Sequence, residues 1–433
     1  MNAGVNLHAR CCLHEGVVMS RSELDVAIVG GGPVGALLGA LLCRSGGTRR
    51  RVLLIEPRLP APIDAPIDPQ ADLRVVALSG ASQRVVRAAG AWAALEGVPG
   101  LLSPYERMHV WPGTESPRGD GSITFDATEL GEPDLGHIVP NARVQRAALD
   151  AFVAAGGEIC SEPLRSLAFE EGGVTLVTDT HRMRAALVVG ADGGRSAVRE
   201  AAGLGIESQD YDQQGVVTTV RSELPHARTA WQRFLGHGTL ALLPLADGRC
   251  SIVWSLPRLR AEAVVALSVE EFEAELTAAS DGVLGALRLA GLRSLFPLRR
   301  ALAPAYVRER CALVGDAAHI VHPLAGQGLN LGIMDAAALA EVLQEAATQG
   351  EDPGALRVLR RYERWRKGGN ESMSLALDLL NRFLAFGDGP VGRIAQRGLG
   401  LVGRQALLRR GFAQFALGSA GDLPALARRR GSN

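Results

Sequence analysis

The 433-residue sequence predicts an α/β protein in which a Rossmann-like nucleotide-binding domain is interrupted by an inserted antiparallel sheet and followed by a helical C-terminal region. Three observations predict it. An apolar strand, a glycine-rich turn and a helix succeed one another over residues 25–43. Short strand-like runs with no helix between them fill residues 214–257, and strand, tight turn and helix return from Cys311 onward.

The elements follow from local pattern. Asp25–Val29 and Arg51–Ile55 read as strands flanking a helix, Pro33–Cys43. The uncharged stretch 26–43 has the length of a membrane span, but Gly30-Gly31-Gly32-Pro33 divides it into strand and helix. Residues 58–72 repeat Ala-Pro-Ile-Asp and read as a surface loop. A helix over Ser79–Leu95, strands over Tyr105–Trp111 and Ser122–Asp126, and a helix over Ala142–Ala155 come next. Strands near Leu164–Phe169, Val174–Thr178 and Ala185–Gly190 follow. The runs Val216–Val220, Thr229–Phe234, Leu240–Leu245 and Ser251–Leu256 are joined by turns such as Ala246-Asp247-Gly248, as in an antiparallel sheet. Helical periodicity resumes at Val269–Ala279. Cys311–Val314 reads as a buried strand, a helix begins near Leu329, and residues 355–420 read as mostly helical.

Hydrophobic residues make up 47% and charged residues 21%, which excludes a disordered chain, and the zero net charge removes any whole-chain argument for nucleic acid. The charge is uneven: residues 381–433 carry nine Arg against two Asp. Six cysteines lack CxxC spacing and fit a reducing compartment. His8, Cys11, Cys12 and His14 lack turn chemistry to hold an ion, so no metal site is expected. Residues 1–18 show no apolar core or cleavage site of a secretory leader. Met19 leads directly into the first strand, so they are read as a disordered extension or a mis-assigned start.

Gly30-x-Gly32-x-x-Gly35 stands between strand and helix, with Pro33 opening the helix. Gly30 permits the tight turn, Gly32 lets backbone approach a pyrophosphate, and Gly35 allows close packing. Glu56 ends the second strand, where a carboxylate accepts from a ribose diol. NAD and FAD remain tied on this evidence. The segment from Cys311 points to a flavin, since Gly315-Asp316 sets an acceptor for a polyol at a strand end. Gly326-Gln327-Gly328 then brings a helix N-terminus to an electron-rich ring.

A further strand ends in Gly190-Ala191-Asp192-Gly193-Gly194-Arg195-Ser196. With Gly30-x-Gly32-x-x-Gly35 and Gly315-Asp316, this set resembles the class A flavoprotein monooxygenases of para-hydroxybenzoate hydroxylase-like fold, over residues 24 to about 375. Asp72-Leu-Arg74, Trp231-Gln-Arg233-Phe, Leu242-Leu-Pro244-Leu and His322-Pro323 to Asn330 narrow the likeness to the UbiH/UbiF/VisC-type ubiquinone-biosynthesis hydroxylases. Ala77-Leu-Ser79 and Phe415-Ala-Leu-Gly418 lean toward members that hydroxylate ring C5 and C6.

The resemblance implies an FAD-dependent monooxygenase that hydroxylates the ring of a polyprenylated phenol through a flavin C4a-hydroperoxide, using dioxygen and NAD(P)H as transient reductant. Asp316 would bind the ribityl hydroxyls. Pro323, Gly326, Gly328, Leu329 and Asn330 would border the flavin ring, and Arg74 and Gln145 would touch the ribityl–pyrophosphate region. Asp192 and Gly193 would form the turn shared by FAD and NAD(P)H. No catalytic base is identified; His319, His322 and Arg233 are the candidates, and Trp254 is a candidate for the pocket wall. Hydroxylation of a soluble aromatic compound and a non-catalytic flavin-binding scaffold stand as alternatives.

Domain limits follow: a disordered extension at 1–23, FAD-binding parts at 24–104, 131–205 and 301–370, substrate-domain parts at 105–130 and 206–300, and basic C-terminal helices at 371–433. That basic end suits either docking to an anionic membrane surface or a ubiquinone-synthesis complex, or packing onto the protein's own acidic body. The expected location is cytoplasmic, with a peripheral place at the inner membrane.

Overall fold

The computed structural model describes residues 24–44, 50–68, 72–119, 121–321, 326–385 and 421–429. The expectations for residues 1–23, His322, Pro323, Phe415–Gly418 and most of the basic C-terminal end therefore lie outside the described residues.

An eight-stranded sheet forms the first layer, in the order Val307–Arg308, Cys311–Leu313, Arg182–Gly190, Leu24–Val29, Val52–Ile55, Glu158–Cys160, with Gly173–Val177 paired off this path to Arg182–Gly190 and Ser166–Glu170 to Gly173–Val177. Its central pairings are parallel and its strands are buried on both faces, which is why they read as unbroken apolar runs. The helices Pro33–Arg44, Asn141–Ala154 and Gln327–Thr348 bury their apolar faces around it.

A nine-stranded sheet forms the second layer. Its path runs His319–Ile320, Ser294–Leu302, Glu207–Ser222, Cys250–Pro257, Gly238–Pro244, Thr229–Leu235, Arg107–Pro112, Ile123–Asp126, with Leu287–Leu289 paired off it. All its pairings are antiparallel except Thr229–Leu235 against Arg107–Pro112. Alternation gives the sheet two faces. On one, Val216, Leu240, Leu242, Ile252 and Trp254 pack beneath the helices Arg258–Ala266 and Val269–Ala279. On the other, Val110, Ile123, Phe125, Ala230 and Phe234 meet Ala77, Val321, Leu331 and Met373 from the first layer. A three-stranded sheet of Val75–Ser79, Gly136–Pro140 and Ser103–Tyr105 joins the two layers.

Three expectations need correction. The helix expected over Ser79–Leu95 is two, Gly80–Ala88 and Trp92–Glu96, because Gly90 takes a φ of +82° between them. The strand expected over Val216–Val220 runs from Glu207 to Ser222; its polar first half is exposed and reads as loop. The late helix starts at Gln327 rather than near Leu329. The described part of the 58–72 loop lies mostly at the surface, anchored by Arg143, which pairs with buried Asp72 at 2.6 Å and donates to the carbonyls of Pro62, Ile63, Ala65 and Pro66.

The helix Leu356–Ala385 continues from the first layer toward the second. Arg300 donates to its Ser374 at 2.9 Å, and Tyr211 donates to its Asp378 at 3.0 Å. Residues 421–429 lie back on the first layer, where Arg84 donates to the Ala427 carbonyl and Arg429 pairs with Glu132 at 2.7 Å. Among the described residues no helix is long and apolar enough to cross a membrane.

Candidate functional site

Three strands that are far apart in sequence lie side by side and parallel, so the turns that follow them emerge at one edge of the sheet. They are held there by backbone bonds, Ala191 N to Val29 O at 2.8 Å and Val314 N to Gly190 O at 3.0 Å. Gly30 has a φ of +103°, and a Cβ on it would stand 2.3 Å from the Ala191 carbonyl oxygen, so the first turn fits the second only as glycine. Gly315 and Gly332 both close on Val34 of the first helix.

The candidate polar groups converge on this edge. Glu56 accepts from Gly31 N at 2.8 Å and from Arg58 N at 2.9 Å, one bond per oxygen, so each oxygen keeps a free lone pair. Gln145 grips the glycine turn from the other side, donating to the Gly31 carbonyl at 3.0 Å. Asp192 accepts from Val198 N at 3.2 Å through one oxygen, while its other oxygen is buried without a partner. Gly193 is left-handed with open space where a Cβ would point. Arg74 is exposed and lies over the Phe296 ring at 5.0 Å.

Protein packs densely around Asp316, yet its side chain keeps solvent-exposed surface at the end of the Cys311–Leu313 strand. Loss of water around it raises its pKa, against the pull of His319, Arg74 and Arg299. Opposite stands the Gln327–Thr348 helix, whose N-cap Gly326 is left-handed and offers no side-chain cap. A helix N-terminus of this kind favours an electron-rich group. Gly328 and Leu329 sit half-buried in the first turn. Asn330 instead faces the protein: Ser79 N and Ser82 Oγ donate to its Oδ1 at 3.1 and 2.7 Å, and its Nδ2 donates to the carbonyls of Ala77 and Gly326. Its side chain braces the turn and has no valence left for a ring.

Behind the Gly315-Asp316 turn lies a group the sequence did not disclose. Asp335 is fully buried and takes four contacts: Gly315 N at 3.2 Å, His319 Nε2 at 2.5 Å, Arg366 Nε at 2.9 Å and Asn370 Nδ2 at 3.0 Å. Burial works to raise its pKa, but His319, Arg366 and Asn370 overturn that and hold the carboxyl well below the usual range.

The FAD binding domain family matches residues 23–368, most of the chain. The chain belongs to that family. It is 34% identical to the 3-demethoxyubiquinol 3-hydroxylase of Escherichia coli (strain K12) over 411 residues, covering 92% of this chain and 100% of that protein. It is 36% identical to the ubiquinone hydroxylase UbiL of Rhodospirillum rubrum over 398 residues, 91% of this chain and 90% of that one. The crystal structure of p-nitrophenol 4-monooxygenase PnpA from Pseudomonas putida superposes with a TM-score of 0.72 over 91% of this chain and 97% of that one; at 19% identity it speaks for the fold.

The residues present fit FAD. Gly32 has nothing within 4 Å of where its Cβ would stand, a gap at the turn where backbone must approach a pyrophosphate. The buried, unpartnered Asp192 oxygen, the exposed Asp316 carboxylate and the N-terminus of the Gln327–Thr348 helix supply two acceptors and an anion-favouring end at the same sheet edge.

The catalytic candidates fare differently. Arg233 lies on the far face of the nine-stranded sheet, and this corrects its assignment. Its guanidinium donates to Ala278 O, Ala279 O and Gly113 O, closing the C-terminal end of the Val269–Ala279 helix. Trp254 packs on that same far face. His319 is buried behind the cofactor turn against Asp335, so it supports the turn rather than lining the cleft. Among the described residues, Cys160, Glu162 and His181 bring ligand atoms within 4.8 Å of one another. Glu162 there already accepts from Thr178 Oγ1, Thr180 N and Thr180 Oγ1; burial opposes its ionisation, yet these donors hold it at about 2. That carboxylate acts as a turn cap.

Proposed function

We propose that this chain is an FAD-dependent monooxygenase that hydroxylates the aromatic ring of a polyprenylated phenol in ubiquinone biosynthesis. The observation that carries the reading is the 34% identity over the whole length of a 3-demethoxyubiquinol 3-hydroxylase, with nothing of that protein left unmatched. FAD, once reduced by NAD(P)H, supplies the chemistry that activates dioxygen.

The chain's own residues bind, orient and exclude water. Asp316 accepts from the ribityl hydroxyls and Glu56 from the adenosine ribose. Asp192 and Gly193 would form the turn shared by FAD and NAD(P)H, with Gln145 and Arg74 beside the ribityl–pyrophosphate region and Gln145 also holding the glycine turn. The first turn of the Gln327–Thr348 helix favours negative charge on the reduced ring. The apolar face of the nine-stranded sheet closes the cleft from the other layer and keeps it dry, which is what an oxygen-transferring site needs. The basic C-terminal end suits an anionic membrane surface, where a polyprenylated substrate resides, although its described part pairs with the protein's own body through Arg429 and Glu132.

Two measurements test this. Holoprotein should consume oxygen and NAD(P)H in response to a prenylated phenol, and better than in response to its non-prenylated parent. The reverse preference would make it a hydroxylase of soluble aromatics, and no substrate-dependent consumption would make it a scaffold. Quinone profiling by mass spectrometry in a deletion strain should show an intermediate lacking one ring oxygen, whose structure names the carbon.

A further inference from the structure

We propose that Gln232 recognises an oxygen substituent on the substrate's aromatic ring; the assignment rests on the reading above that the substrate is an oxygenated ring. In the strand Thr229–Leu235 the side chains alternate strictly between the two faces of the nine-stranded sheet. Trp231 and Leu235 join the apolar cluster beneath the helices, and Arg233 reaches one of those helices. Ala230 and Phe234 join the cluster on the cofactor side. Gln232 stands between those two, in register with Val110 of one neighbouring strand and Ala241 of the other.

The residue is only 7% exposed, yet its carboxamide makes no hydrogen bond to a described residue and its polar atoms still reach solvent. Three other buried amides are turned to the protein instead: Gln83 donates to the Leu78 carbonyl at 3.1 Å, Asn370 bridges Arg366 and Asp335, and Asn330 is fully satisfied. A carboxamide placed this way on an otherwise apolar face presents its donors and acceptor to the space between the layers rather than to the protein. A substrate that displaces water from such a group must replace the hydrogen bonds the water made. The cluster around it includes Val321 and Leu331, which bracket the Gly326 turn and the helix start facing the flavin. Gln232 is therefore on the wall across from the cofactor edge.

A carboxamide offers two N–H donors and one carbonyl acceptor. It can donate to a ring oxygen or accept from a phenolic hydroxyl, and it cannot take the proton. Gln232 thus fixes which edge of the ring is presented without acting as the base. It also explains the Trp231-Gln-Arg233-Phe run, in which Gln232 alone of the two polar residues faces the cleft.

The test is Gln232→Leu, of similar size and without polar atoms. Holoprotein is titrated with a short-chain prenylated phenol, and binding is read from the change in flavin absorbance. The expected result is a Kd about five- to tenfold weaker than wild type, the loss of one neutral hydrogen bond. FAD retention stays unchanged, and apoprotein Tm is equal or higher. An analogue lacking the ring hydroxyl should bind both proteins alike. Gln232→Leu binding the phenol as tightly as wild type, or still discriminating the analogue, overturns the assignment. If wild type binds a non-prenylated phenol and Gln232→Leu weakens it, this inference stands while the prenyl reading falls. Wild type that binds no oxygenated ring at all sinks both.

Discussion

His319 Nε2 lies 2.5 Å from Oδ2 of Asp335, and both side chains are shut off from solvent directly behind the Gly315-Asp316 turn. The same carboxylate meets Arg366 and Asn370 of the Leu356–Ala385 helix, which in turn bonds the nine-stranded sheet through Ser374. One buried acid therefore ties the cofactor turn to a helix that reaches the other layer.

Asp335→Ala should be among the most destabilising substitutions in the chain. It strands the Arg366 guanidinium in the core and removes the acceptor of Gly315 N, a combination that costs about 3–5 kcal/mol. Urea unfolding of the apoprotein measures it; a loss below ~1 kcal/mol would contradict the network. The pH dependence has a definite sign. Because the folded carboxyl is held below its unfolded value, its contribution is present above about pH 4 and is lost as pH falls through the folded pKa. The variant should show a flatter acid limb than wild type.

Asp316→Asn separates stability from cofactor binding. Loss of water around Asp316 raises its pKa, so its ionised form weighs against the folded apoprotein, a penalty absent in acid, growing as pH rises from the unfolded value and complete above the folded one. The asparagine variant should melt higher than wild type at pH 7, with the gap closing in acid. Its FAD affinity should fall about ten- to a hundredfold, the worth of a hydrogen bond to a charged acceptor. Retention of the yellow cofactor at wild-type affinity would show that Asp316 does not hold the ribityl chain.

Gly32→Ala and Gly35→Ala should differ in kind. A Cβ at Gly32 meets nothing within 4 Å, so that variant should fold with wild-type stability and lose FAD affinity alone. A Cβ at Gly35 would stand 2.1 Å from the Gly30 carbonyl oxygen, so that variant should be destabilised even as apoprotein, by about 2 kcal/mol or more from overpacking. Circular dichroism melts of the two apoproteins and flavin fluorescence titrations distinguish them. Equal FAD affinity in Gly32→Ala and wild type would mean that the gap is not filled by the cofactor.

The parts of this fold legible in the sequence are those fixed by local chemistry. Gly30 and Gly315 mark turns whose positive φ demands glycine, and strands buried on both faces leave unbroken apolar runs. What was not legible depends on tertiary contact. The strand before Val216 is exposed and polar, and a polar, exposed strand has no apolar alternation to betray it. Asp335 looks like any helical acid until its buried partners, 16 to 35 residues away, are brought against it. Asn330 was expected at the ring because it stands in the cofactor segment, yet its side chain turns inward to Ser79 and Ser82. For Gln232 and Arg233 the period of alternation was evident, but the phase was not. Which face a strand turns to the cleft is set by the helices that cover the other.

Arg233→Met tests that phase directly. The guanidinium donates to three carbonyls at 3.0 to 3.3 Å, two of them at the end of the Val269–Ala279 helix, and none of these groups borders the cofactor edge. A cation there also favours the negative end of the helix. Methionine keeps the aliphatic stem and loses the donors, so unfolding should become easier by about 1–3 kcal/mol. FAD affinity and the KM for a prenylated phenol should stay within about twofold of wild type. A variant that keeps its stability but loses substrate binding would return Arg233 to the cleft and reverse the assignment of faces, and with it the position given to Gln232.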